Sequence, residues 1–189
     1  MSRAYRVAVF CSANAGLDAK FIEAAEQFGQ GLAARRWELI YGGAQVGLMG
    51  TFADSCLAGG GVVRGAITKG LAAGREIAHE RIQELVIVED LYERKRWMND
   101  EADAFAIFPG GLGTLDEALE VITWKSLGCL DKPIVFVNLG GFWQSQLEVF
   151  RELSRKGVIR AGGLDLYTVT DTVEGLWSIL DGISKSDLR

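Results

Sequence analysis

The sequence predicts an α/β fold, a doubly wound parallel sheet with helices on both faces, in one domain spanning residues 1–189. Apolar runs of strand length recur along the chain, and most are separated by stretches with helical spacing. No low-complexity tract, fixed-period repeat or Pro/Ser-rich linker divides it.

Taken in order, residues 7–11 (VAVFC) predict a first strand and residues 19–35 a helix. Residues 39–41 (LIY) predict a second strand, which ends in a glycine-rich turn before a helix over 48–58. Strands follow at 62–66 and 85–88, and a helix at 91–101. The run AFAIF at 104–108 reads as a buried strand, followed by a helix over 115–127 that Thr114 opens. The remaining expectations are a strand at 134–137, a helix at 142–156, a strand at 167–169 and a helix at 173–180. In such sheets ligands bind at the carboxyl ends of the strands, which selects the loops where function is to be sought.

Composition narrows the class. Hydrophobic residues make up 49% and charged residues 24%, the balance of ordinary soluble proteins. A net charge of −5 gives no general pull toward nucleic acid, which is not an expected partner. Cys11, Cys56 and Cys129 are scattered and odd in number, which points to a reducing compartment. The first apolar run is too short for a signal segment or a membrane span, so a cytoplasmic protein without membrane partners is expected.

The densest chemistry lies in Phe108-Pro109-Gly110-Gly111-Leu112-Gly113-Thr114-Leu115-Asp116-Glu117. Its glycines let backbone N–H groups approach an anion, and the helix start adds the positive end of a dipole with carboxylates beside it. Thr114-x-x-Glu117 also fits a capping box, in which both residues serve only the helix end. A second glycine-rich turn spans residues 42–50 (GGAQVGLMG), and two such turns suggest two walls of one pocket. Arg94, Lys95 and Arg96 are consecutive, so on a helix they cannot share a face, whereas Arg94 and Met98 could line one stripe. Glu76 is a possible second acid.

Several chemistries lack their residues. The loop Ser12-Ala13-Asn14-Ala15-Gly16 does not carry G-x-G-x-x-G, and no G-x-x-x-x-G-K-[ST] exists, so neither a dinucleotide nor P-loop ATP hydrolysis is supported. His79, the single histidine, has no zinc-ligand company and reads as structural; no metal is expected. There is no G-x-S-x-G elbow, which leaves hydrolysis by carboxylates.

Together, GGAQVGLMG, the Arg94-Lys95-x-x-Met98 pattern and the PGGxGTxxE pattern of residues 109–117 closely resemble the Lonely Guy family of cytokinin riboside 5′-monophosphate phosphoribohydrolases. Ile122-Thr123-Trp124 and Asp131-Lys132-Pro133 are similar to it as well. Members have been labelled lysine decarboxylases, but nothing here argues for pyridoxal phosphate, and no cofactor is expected.

The resemblance implies a homodimer with a Rossmann-like fold that hydrolyses the N-glycosidic bond of an adenosine 5′-monophosphate, often N6-substituted, to free base and ribose 5-phosphate. It assigns catalysis to Arg94 and Glu117, with Glu76 at a third acidic position. It assigns substrate and phosphate binding to Gly43, Gly47, Met49, Lys95, Met98, Pro109, Gly110, Gly111, Gly113 and Thr114. Thr68, the Leu91-Tyr92-Glu93 segment and Ser126 depart from the family pattern and bear on substrate choice. The rival readings are a non-catalytic nucleotide or molybdenum-cofactor-type carrier on the same scaffold, which would not need Arg94 and Glu117 together, and a general AMP nucleosidase of purine salvage.

Overall fold

The computed structural model describes residues 3–72 and 77–184. Its strands are β1 (Arg6–Phe10), β2 (Glu38–Tyr41), β3 (Val62–Thr68), β4 (Glu84–Val88), β5 (Ala104–Ile107), β6 (Ile134–Val137) and β7 (Thr168–Thr170). The helices are α1 (Ala19–Arg35), α2 (Gly47–Ala58), α3 (Lys69–Ala72), α4 (Leu91–Glu101), α5 (Leu112–Ser126), α6 (Gln144–Arg155) and α7 (Val173–Ser184). Short 3₁₀ turns lie at Leu139–Gly141 and Gly163–Leu166.

The strands form one parallel sheet in the order β4-β3-β2-β1-β5-β6-β7. β1 is central, with Val7 opposite Leu39 of β2 on one side and Ala104 of β5 on the other. The chain winds outward through β2, β3 and β4, and α4 then carries it back across the sheet to β5. The direction of winding reverses between β1 and β5, and that reversal opens a crevice at their carboxyl ends.

Strand alternation sorts β1 between two apolar layers. Val7 and Val9 join α1, α2 and α7 on one face, while Ala8 and Phe10 join α4, α5 and α6 on the other. The first layer is knit by aromatic rings: Phe28 stacks on Trp177 at 4.4 Å between centroids, and Phe52 meets Phe108 edge-on at 4.7 Å. Burying each such ring stabilises the fold by roughly 1.5–3 kcal/mol. Trp124 is half-buried against the second layer. At the opposite end of the sheet from the crevice, Arg6 pairs with Glu38 at 2.8 Å, and both Arg6 and Arg64 reach Glu101.

One helix start differs from expectation in a way that matters for the site. α5 begins at Leu112, with Gly111 as its N-cap and the Leu115 N–H donating to the Gly111 carbonyl at 3.0 Å. Thr114 is therefore inside the first turn, almost fully buried, and not a capping residue. The capping-box reading of Thr114 and Glu117 falls with it, because the cap position belongs to a residue without a side chain. α3 was not expected: it buries no residue and so leaves no periodic signal. No helix among the described residues is long and apolar enough to cross a membrane.

Candidate active site

A cavity of about 240 Å³ lies at the crevice between the ends of β1 and β5. Its floor is Val9 and Cys11 of the first strand and its continuation, and its walls come from the loop after β1, the turn after β2, helix α4 and the start of α5.

The loop after β1 is held by Ser12. Its N–H donates to the Pro109 carbonyl at 3.1 Å, its own carbonyl accepts from the Leu48 N–H at 3.0 Å, and its hydroxyl accepts from the Asn14 N–H at 3.0 Å. One small buried residue thus ties the ends of β1 and β5 to the start of α2. Gly47 makes the tie possible: at φ +57° it favours glycine, and a Cβ there would lie 2.5 Å from the Ala13 carbonyl carbon.

The turn after β2 receives Arg94 from α4. Arg94 is only 8% exposed; its Nε donates to the Ala66 carbonyl at 3.0 Å and an Nη to the Gly42 carbonyl at 2.9 Å, with Met49 Sδ 4.0 Å away. The guanidinium is a fixed cation in a partly desolvated wall, where its charge acts more strongly than in water. The turn is braced from outside by the segment after the undescribed residues 73–76. The His79 N–H donates to the Gly43 carbonyl at 2.9 Å, and the Gln45 N–H to the Ile77 carbonyl at 2.7 Å. His79 is fully buried, with Nε2 3.2 Å from Asp54 and Nδ1 accepting the Arg81 N–H at 3.3 Å, so it serves structure as its sequence context predicts.

On the third wall, Gly111, Leu112, Gly113 and Thr114 face the cavity with the first turn of α5, whose N–H groups have no intrahelical partners. Glu117, half-buried one turn on, lines the same cavity. A helix N-terminus, an anchored arginine and a carboxylate therefore meet in one space: an anion site beside a group able to stabilise positive charge or activate water.

A family model described as "Possible lysine decarboxylase" matches residues 49–180. Over 181 residues the chain is 41% identical to a probable cytokinin riboside 5′-monophosphate phosphoribohydrolase of Oryza sativa subsp. japonica, covering 96% of this chain and 81% of that one. It is 38% identical over 169 residues to a cytokinin riboside 5′-monophosphate phosphoribohydrolase of Rhodococcoides fascians, with 89% and 85% covered. To one of Arabidopsis thaliana it is 44% identical over 158 residues, with 84% and 72% covered. The chain belongs to the Lonely Guy family.

Among solved structures, this Lonely Guy chain resembles the molybdenum cofactor binding protein from Rippkaea orientalis with a TM-score of 0.76 at 18% identity, covering 97% of this chain and 99% of that one. The molybdenum cofactor carrier protein from Chlamydomonas reinhardtii gives 0.74 at 19%, with the same coverage. At such identity these likenesses speak to the fold alone.

Of the residues that the Lonely Guy resemblance points to, the cavity brings together Arg94, Glu117, Met49, Gly111, Gly113 and Thr114. Others stand behind it. Gly43 and Gly47 shape the turn and the helix start, Pro109 offers its carbonyl to Ser12, and Gly110 packs against Thr114, whose Oγ1 would lie 2.0 Å from a Cβ at that position. Met98 is not on the cavity stripe with Arg94: it is 1% exposed, packed in the apolar layer beneath the sheet. Lys95 turns away as well, its ammonium 2.7 Å from Glu120 and 3.0 Å from Asp116. Glu76 lies outside the described residues. Sequence reasoning selected the turn that Gly42 opens, but not Ser12, Ala13, Asn14 or Cys11, as part of the site; their signal was position, at the carboxyl end of the first strand.

Proposed function

We propose that this protein hydrolyses the N-glycosidic bond of cytokinin riboside 5′-monophosphates, releasing the free base and ribose 5-phosphate. The relatives' names carry the reaction, and one observation fits it to this chain: Arg94, Glu117 and the N-terminus of α5 line a single cavity. In this reading the phosphate sits on the glycine-rich start of α5, with the Thr114 side chain and the Arg94 charge beside it. As the bond from the anomeric carbon to the base nitrogen breaks, positive charge builds on the ribose, which the Glu117 carboxylate stabilises. Water adds to the anomeric carbon, and its proton balances the base nitrogen that leaves.

Base release from isopentenyladenosine 5′-monophosphate and from AMP, followed by chromatography, tests the reading. Faster release from the isopentenyl nucleotide supports cytokinin activation. Equal or faster release from AMP would move the assignment to purine salvage, and no release from folded protein would refute hydrolysis. The carrier reading has only fold likeness behind it.

The proposal extends to a homodimer in the cytoplasm. The groove between α5 and α6, where Leu119, Leu127 and Leu153 are exposed, is the apolar surface that supports pairing. A concentration-independent monomer mass by light scattering would refute the dimer.

A further inference from the structure

Lys95 follows Arg94 in the chain and Asp116 precedes Glu117, so each residue assigned to catalysis has a charged neighbour. Consecutive helical residues point about 100° apart, so as Arg94 and Glu117 turn toward the cavity their neighbours turn elsewhere. These neighbours meet each other. Lys95 Nζ lies 3.0 Å from Asp116 and 2.7 Å from Glu120, two acids one turn apart on the same side of α5. Asn99, one turn beyond Lys95, donates its side-chain amide to Glu120 at 3.1 Å, and its carbonyl accepts from Lys132 at 2.6 Å.

We propose that Lys95 is a positioning residue: it clamps α4 to α5 and so sets the placement of Arg94 relative to Glu117, without touching the substrate phosphate. The inference rests on the proposed hydrolysis. Its side chain is only 11% exposed, and it is absent from the cavity lining. Burial would lower the lysine's pKa, but the hydrogen bonds to Glu120 and Asp116 raise it above the ordinary value, so the clamp stays charged. α4 fixes Arg94 to the sheet through the Ala66 and Gly42 carbonyls, whereas Glu117 depends on where α5 lies. A shift of about 1 Å between the two groups costs on the order of a hundredfold in rate.

The test compares Lys95→Met, Lys95→Arg and Glu120→Gln with the wild-type protein in kcat for base release and, by calorimetry, in Kd for AMP. The expected result is a kcat reduced on the order of tenfold to a hundredfold in Lys95→Met, a Kd within about twofold of wild type, and substantial recovery in Lys95→Arg, which keeps the ion pairs. A Kd raised tenfold or more with kcat retained would make Lys95 a phosphate ligand and overturn the clamp, and so would unchanged kcat in both Lys95→Met and Glu120→Gln. If the wild-type protein cleaves neither nucleotide, the functional reading fails by itself. Melting temperatures then decide the clamp: a Lys95→Met/Glu120→Gln double variant should melt no lower than the worse single variant, and additive losses would overturn it.

Discussion

The Gly42 carbonyl accepts a hydrogen bond from Arg94 at 2.9 Å, and the same residue leaves the space into which that guanidinium fits: a Cβ on Gly42 would lie 2.0 Å from the Arg94 nitrogen. Backbone and side chain thus define the arginine's position together. Replacing Gly42 by alanine should displace the guanidinium, cut base release on the order of a hundredfold, and destabilise by about 1–3 kcal/mol through overpacking. Kinetics with thermal melts check this; an unaffected rate would show that Arg94 acts from another position.

Glu117→Gln separates charge from shape. Because Gly111 caps α5, Glu117 has no capping duty to lose. The melting temperature should fall by no more than a few degrees, since the amide keeps the shape of this half-buried side chain, while kcat falls a hundredfold or more. Retained activity would sink the catalytic role of Glu117.

Arg94→Lys is not a mild change. The guanidinium serves the Ala66 and Gly42 carbonyls through different nitrogens, which one ammonium cannot span. Base release should drop at least tenfold, with a stability loss of about 1–3 kcal/mol from partners left unsatisfied. Denaturant melts and single-turnover rates measure the two effects.

Gly110→Ala probes the proposed phosphate cradle without touching either charged group. Its methyl would come within 2.0 Å of Thr114 Oγ1, and Thr114, at 3% exposure, has little room to swing away. The first turn of α5 should shift, raising KM for the nucleotide by about tenfold with a smaller effect on kcat. A lowered kcat at constant KM would place Gly110 in the chemistry.

Burial pushes the Cys56 thiol up to about 12 from its ordinary value of 9.0. In the native state it keeps its proton between those values, whereas the unfolded chain gives it up. Stability from this residue is therefore full below pH 9 and lost progressively as the pH rises toward 12. Cys56→Ala should flatten the alkaline fall in stability measured by denaturant melts between pH 8 and about 10.5. Native protein should expose Cys129 to a thiol reagent well before Cys56.

Local patterns were legible in the sequence. Residues 19–35, 91–101 and 134–137 are expected and observed with the same ends, because apolar periodicity and adjacent turn residues are properties of neighbouring positions. Arg94, Glu117 and the two glycine turns were visible by type and spacing, and the cavity unites them. The start of α5 was not legible: threonine is a common cap, and only the folded backbone, with the Leu115 N–H bonded to the Gly111 carbonyl, shows that the cap lies earlier.

The sequence by itself determined the alternation of strands and helices, the two glycine-rich turns, and a cation and a carboxylate of the kinds the chemistry needs, since these depend on residue type and short spacing. Tertiary structure alone decided that Ser12 ties Pro109 to Leu48, that Gly42 seats Arg94, that Met98 is core, and that Lys95 faces Asp116 and Glu120. Each of these relationships joins residues far apart in the chain. They exist because the winding reverses beside β1 and packs α4 and α5 on one face, which no local pattern encodes.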